Sequence, residues 1–348
     1  MKILVTGGTG FLGSYVARAL LARGDQVRLL GRDFGAVSDL LAHGAEAVRA
    51  DLRDKPAVSA ACAGVDAVIH AGALTAAWGH PGDFRAINAG GTLNVVEGCR
   101  QHDVARLVHI SSPAVVFDGR DHEQLDEAAP YPRNYSSDYA ASKKIAEDMV
   151  NAAARQGLPT VILRPKAIFG PGDRALLPRL IAVARQGKLR QFGDGTNLVD
   201  LTYIDNAVHA TLLALEASAA VGRTYFITNG EHVPLWLIIR RTLDALGIPS
   251  TLRPLSLTLA LLAARFMEAR ADSLGGEPLL TRYTVAILAR TQTYDISAAR
   301  RDLGYDPPVS LNEGLARTLE SLRASWAPEN KGFDRRVSAD DADSVSSQ

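Results

Sequence analysis

Short apolar runs alternate along this chain with longer stretches in which apolar positions recur every three or four residues. Residues 3–5, 26–30, 46–50, 67–70, 106–110 and 160–164 read as strands, and 11–23, 85–100 and 139–155 between them as amphipathic helices. Apolar strands separated by such helices suit a parallel sheet buried on both faces. The expectation is therefore an α/β fold, a Rossmann-type doubly wound parallel sheet, with residues 1–170 as its core. From about Pro171 the rhythm changes to helices at 176–186, 204–216, 235–246 and 311–325 with short polar connections. Residues 171–326 are expected to form a smaller, mainly helical substrate-binding portion, with some return to the core, closing over the carboxyl ends of the strands. Residues 327–348 are rich in Ser and Asp and poor in apolar side chains, so a disordered tail is expected there.

The segment TGGTGFLG, Thr6 to Gly13, stands between the first strand and the first helix. Gly7, Gly10 and Gly13 allow a sharp turn, close approach to a pyrophosphate and tight packing of helix on strand, and the helix N-terminus offers free N–H groups. Strand, glycine-rich turn and helix in this order predict a dinucleotide site, with Thr6, Gly7, Gly10, Phe11, Leu12 and Gly13 against the cofactor.

Composition narrows the partners. Lys+Arg and Asp+Glu both number 38, so there is no electrostatic footprint for nucleic acid. Cys62 and Cys99 lack metal or redox spacing; this favours a reducing compartment, buried thiols and no metal centre. A first strand starting at Lys2 leaves no room for a signal peptide, so a cytoplasmic location is expected. The stretch 255–266 is shorter than the ~20 residues a spanning helix needs. Residues 252–267 read either as a core or dimer-contact helix or as an interfacial helix in peripheral membrane contact, with Arg265 and Arg270 at head-group level.

Tyr139 and Lys143 are four apart at the start of a helical pattern, so both lie on one face. A phenol of pKa ~10 is a poor acid or base at neutral pH, and an adjacent ammonium would lower that value. The alternative, ordinary helix surface, is weakened by the preceding dinucleotide fingerprint. Ser111 and Ser112 follow the strand 106–110 at its carboxyl edge, where a hydroxyl can hold a carbonyl; one of the two serves only the turn.

With TGxxGxxG, strand-end serines and YxxxK in this order, the chain resembles the extended short-chain dehydrogenases/reductases. The resemblance implies a nicotinamide cofactor, a homodimer and a Ser112–Tyr139–Lys143 triad in which the lysine also holds the nicotinamide ribose. Ser112 is preferred because, like the family serine, it stands three residues before a Val, Val115. The same resemblance places Asp51 and Leu52 at the adenine, and His70, Ala71 and Gly72 along the cofactor. Asn88 falls at the asparagine that steadies the sheet, and Ser111 and Pro165 beside the nicotinamide. Within the superfamily, SSPAVVFDGRDHEQLDEAAPYP and FGDGTNLVDLTYIDNAVHA resemble 3β-hydroxysteroid dehydrogenases, including the sterol-4α-carboxylate 3-dehydrogenases. AAWG, LLPRL, GEPLLTRY and YDISAARRDLGY resemble bacterial 2-alkyl-3-oxoalkanoate reductases. Both groups imply hydride transfer on a secondary alcohol or ketone β to a carboxylate, on a large hydrophobic substrate.

Two positions bear on specificity. An NAD site usually ends its second strand with a carboxylate that accepts from the ribose hydroxyls. That place falls on Gly31, with Arg32 next, which favours the 2′-phosphate of NADP(H); NAD(H) remains the alternative through Asp33. Nucleotide-sugar epimerases and dehydratases share the motifs but commonly carry a phosphate-neutralising Arg in GDGxQxRD. Here that place is Val199, so Ser112, Ala167 and Val199 are expected to line a hydrophobic substrate pocket. A non-catalytic nucleotide sensor on the same fold would typically lose the tyrosine or lysine, and both are present.

Overall fold

The structure, a computed structural model, describes residues 1–325; the expected tail at 327–348 lies outside them. Its centre is a seven-stranded parallel sheet: β1 (Lys2–Thr6), β2 (Gln26–Gly31), β3 (Glu46–Arg49), β4 (Ala67–His70), β5 (Arg106–Ile110), β6 (Thr160–Pro165) and β7 (Arg223–Ile227). The strand order is β7-β6-β5-β4-β1-β2-β3. The chain runs outward from β1 to β3 and then returns to β4 on the other side of β1. The β1/β4 boundary is thus the point where order reverses and a crevice opens above the strand ends.

Alternation along each strand splits the core in two. Ile3, Val5 and Leu29 face one layer with Val16 and Ala17 of helix Phe11–Ala22 and Ile204, Ala207 and Ala210 of helix Ile204–Glu216. Leu4, Leu30, Val68, Leu107 and Ile162 face the other, with Val58, Val95 and Val150 from helices Lys55–Cys62, Gly91–Gln101 and Asp138–Arg155. Helix Ile204–Glu216 therefore covers the central sheet. The expected single helix over 85–100 is instead a π-helical turn, Arg85–Gly90, running into Gly91–Gln101.

Residues beyond 171 add more strand than the sequence suggested. Besides β7 they supply Leu198–Val199, Val233–Pro234 and Gln292–Tyr294 to a four-stranded sheet whose fourth member, His122–Leu125, comes from the first half. Segments of two or three residues carry no readable alternation. A third core, with Trp236, Leu243, Ala260, Ala264 and Val285, holds the helices of this part together. Residues 252–267 form strand Arg253–Leu255 and much of helix Leu257–Leu274. That helix buries Ala260, Ala264 and Glu268, while Leu259, Leu262 and Phe266 are 58%, 58% and 73% exposed. Among the described residues no helix is long and apolar enough to cross a membrane.

Candidate active site

The glycine-rich turn is built by close approach. Gly7 has φ +66°, and a Cβ there would lie 2.6 Å from Gly72 Cα. A Cβ on Gly13 would come within 2.1 Å of the Gly7 carbonyl oxygen. Gly10 caps helix Phe11–Ala22 without a side-chain hydrogen bond, so the first-turn N–H groups receive no side-chain cap. Leu12 is buried, and Phe11 is half-buried with its ring edge-on to Tyr15 at 5.7 Å. This cradle fits a pyrophosphate: no side chain intrudes, and the helix dipole points at it.

The walls of the crevice are pinned by buried polar groups. The Thr92 hydroxyl donates to Asn88 O at 2.6 Å, so it accepts from His70 Nε2 at 2.9 Å. His70 Nδ1 is left to accept from the Thr6 hydroxyl at 2.6 Å. Burial first, then the Lys143 charge, hold this imidazole down at about 3, so it is neutral. Both ring nitrogens of His70 are thus engaged inside the protein, tying β1 and β4 to the helix above, while Ala71 and Gly72 lie against Gly7 of the glycine-rich turn. Asn88 accepts from Leu74 N–H at 2.7 Å and donates to Leu74 O and the Ser142 hydroxyl, fastening the loop after β4 to helix Asp138–Arg155.

At the far end, β2 stops at Gly31, so the usual carboxylate place is a glycine. Arg32 and Asp33 are exposed, and Asp33 accepts from Gly35 N–H at 3.0 Å. Asp51 is gripped by Arg53 at 2.9 and 3.0 Å; that contact, with a smaller pull from Arg32, keeps its carboxyl below the usual range. Arg53 is a second cation at this end that the sequence did not single out. Leu52 packs against Gly72 and Gly91.

Tyr139 opens helix Asp138–Arg155 behind the Ser137 cap, and Ser112 caps the short 3₁₀ turn Pro113–Val116 beyond β5. Burial pushes the Tyr139 phenol up, and the nearby Ser112 hydroxyl draws it partly back. Lys143, one turn on, donates to Ile110 O at 2.7 Å and lies 3.5 Å from His109 Nε2. Burial brings its ammonium down to about 8, with Glu147 pulling the other way. The expectation that Lys143 lowers the tyrosine is thus not what this structure displays, because the ammonium is drawn to the strand-end carbonyl. Ser111 is buried, its N–H donates to Leu163 O at 2.7 Å and its hydroxyl has no hydrogen-bond partner among the described residues, whereas Ser112 is the serine whose hydroxyl acts on Tyr139.

Across the cleft, Pro165 ends β6 and Ala167 has φ +45°, a strained value for a residue with a Cβ. Val199 is buried opposite Gln292 in the small sheet. Sequence reasoning missed Tyr283 and Lys166. Tyr283 is near enough to Tyr139 to feel its charge and sits edge-on to Phe117 at 6.5 Å. Lys166 donates to Gln292 Oε1 at 2.7 Å. Their partners lie far away in sequence, and only the fold brings them together.

Residues 4–257 match the 3-beta hydroxysteroid dehydrogenase/isomerase family. The 2-alkyl-3-oxoalkanoate reductase of Stenotrophomonas maltophilia is 44% identical over 333 residues, 93% of this chain and 100% of that protein. The decarboxylating sterol-4-alpha-carboxylate 3-dehydrogenase of Saccharomyces cerevisiae is 38% identical over 251 residues, covering 69% of this chain and 72% of that protein. Among solved structures, UDP-glucuronic acid 4-epimerase from Bacillus cereus, in complex with NAD, superposes with a TM-score of 0.75 at 26% identity, over 94% of this chain and 100% of that one. Fold, glycine cradle and sequence likeness agree: the chain belongs to the 3-beta hydroxysteroid dehydrogenase/isomerase family, within the extended short-chain dehydrogenases/reductases.

Proposed function

We propose that this NAD(P)-dependent oxidoreductase interconverts a secondary alcohol and a ketone on a large hydrophobic substrate, through Ser112, Tyr139 and Lys143 and with NADP(H) preferred. The observation that carries this reading is the nearness of Ser112 to the buried Tyr139 phenol, whose proton loss its hydroxyl eases, in a fold whose glycine cradle fits a dinucleotide. The nicotinamide supplies or accepts the hydride when bound. The protein's own residues handle the oxygen and the proton. In the reductive sense Ser112 donates to the carbonyl oxygen, and Tyr139, kept protonated by burial, passes its phenolic proton to that oxygen as negative charge develops there. Lys143 presents its ammonium on the same helix face one turn away, held at Ile110 O, and its role is to hold the nicotinamide ribose.

Hydrophobic substrates are favoured over nucleotide sugars because Val199 is apolar and buried where the sugar enzymes commonly place a phosphate-binding arginine. The names of the two sequence relatives point the same way, each describing chemistry at a carbon beside one bearing a carboxylate. A homodimer, and peripheral lipid contact through helix Leu257–Leu274, complete the proposal. The test is a panel of 3β-hydroxysterols, long-chain 2-alkyl-3-hydroxy acids and nucleotide sugars, each followed by nicotinamide absorbance. Turnover is expected with the first or second class. Turnover of a nucleotide sugar, or a thermal shift with one beyond that of the free nucleotide, would move the assignment to the epimerases.

A further inference from the structure

Lys166 stands directly after Pro165, the last residue of β6, at the carboxyl edge of the sheet. The β5/β6 register opposes Ile110 to Leu163, and Ser111 N–H donates to Leu163 O. Continued by two residues, it sets Ser112 opposite Pro165, one residue before Lys166, and strands of one sheet lie about 4.8 Å apart. Burial brings the Lys166 ammonium down to about 8, with Asp200 pulling the other way, yet the residue keeps part of its surface open.

Its partners do not match its charge. Lys166 Nζ donates to the neutral Gln292 Oε1 at 2.7 Å and lies 5.8 Å from the centre of the Tyr294 ring. Asp200 acts on it only through charge, because the oxygens of Asp200 are committed to His232 Nδ1 at 2.5 Å and Tyr294 N–H at 2.8 Å. No carboxylate of the described residues is recorded in an ion pair with Lys166. An ammonium taken out of water with only an amide and a ring face for company favours an anion. Tyr283 feels the charge of Tyr139 and in turn acts on Tyr294, the ring beside the Lys166 ammonium.

We propose that Lys166 receives a carboxylate carried by the substrate on the carbon next to the reacting one, so that the natural substrates are acids. This rests on the function proposed above and adds to it the residue that selects for the acid. Ser112 would hold the reacting oxygen, and Lys166 the carboxylate on the adjacent strand end. Gln292 would orient the ammonium without neutralising it.

A 2-alkyl-3-hydroxy acid and its methyl ester, oxidised by wild type and by Lys166→Met, Lys166→Gln and Lys166→Arg, separate the outcomes. The acid is stable in the oxidative direction, and the ester differs only in charge. Wild type is expected to prefer the acid over the ester in kcat/KM by about ten-fold or more, the size of one charge-assisted contact. Lys166→Met and Lys166→Gln should erase most of that ratio through KM, and Lys166→Arg should restore much of it. Measurable ester turnover in each variant reports that the fold is intact. An acid/ester ratio unchanged in both neutral variants overturns the assignment of Lys166 and leaves the proposed function standing. Wild type that oxidises neither compound nor any hydroxysterol refutes the proposed function and this assignment with it.

Discussion

Tyr139 owes its character to two opposed influences, burial that keeps the phenol protonated and the Ser112 hydroxyl that eases proton loss. Tyr139→Phe keeps the ring and removes the proton, so turnover should fall about 10²-fold or more while nicotinamide affinity, read by fluorescence titration, hardly moves. Near-normal turnover would end the mechanism. At the adenine end, wild type should prefer NADPH, and Arg32→Asn should cost it a contact of roughly 1.5–3 kcal/mol, about ten-fold or more in relative affinity. Arg32 is the position to change, since a Cβ on Gly31 would lie 2.7 Å from Thr9 Cγ2 and confound any carboxylate placed there. A wild-type preference for NADH would reject the 2′-phosphate assignment. At this scale the sequence announced residues whose spacing is itself the signal, Gly7 to Gly13 and Tyr139 with Lys143. It was silent on Lys166, Arg53 and Tyr283, and it could not tell that the His70 ring is turned inward, because those facts depend on neighbours set by the fold.

Helix Asp138–Arg155 and β6 are clamped by an ion pair with almost no exposure. Arg164 donates to both Glu147 oxygens at 2.8 and 2.6 Å, and the Tyr131 hydroxyl donates to the same carboxylate at 2.8 Å. Burial alone would raise Glu147, but the bonds and charge of Arg164, with the Tyr131 hydroxyl, outweigh it and hold the carboxyl below 4.5. The unfolded chain therefore takes up this proton at a higher pH than the folded one. The stabilisation is complete above about 4.5 and lost as pH falls through the depressed value. Urea melts between pH 3 and 7 should show that acid-side loss in wild type and a shallower one in Glu147→Gln; equal slopes would deny the pair this role. Arg164→Leu strands a buried carboxylate and should cost about 3–5 kcal/mol at pH 7. Strands were the legible elements, since β1, β4, β5 and β6 are four to six residues long and built around short apolar runs such as Ile3–Val5 and Val161–Leu163. β7 was not read, because its sequence RTYFI opens with polar residues and lies in a connection between two helical patterns. The π-helical turn at Arg85–Gly90 leaves no mark in a periodicity that continues on either side.

Seen whole, the molecule has one apolar face that nothing in the described residues covers: Leu259, Leu262 and Phe266 on successive turns of helix Leu257–Leu274. Arg265 and Arg270 on the same helix are exposed, with no ion-pair partner recorded for either. Leucine and phenylalanine flanked by guanidinium groups suit the surface of an anionic bilayer. In flotation, the protein should rise with vesicles containing phosphatidylserine, and Leu262→Ser with Phe266→Ser should leave it at the bottom; a wild type that stays down would assign this face to a second copy of the chain. The sequence offered both choices for 252–267 and could not rank them, because which side of a helix is covered depends on the third core. The late arrival of β7 matters during synthesis. β6, with the apolar run Val161–Leu163, is in place once residue 165 has been made, yet the strand that pairs with its outer edge spans 223–227. For the time it takes to translate some sixty further residues, roughly 3–12 s at typical rates, the nascent chain carries an unpaired, hydrophobic sheet edge. A premature stop in that interval should yield a product prone to self-association.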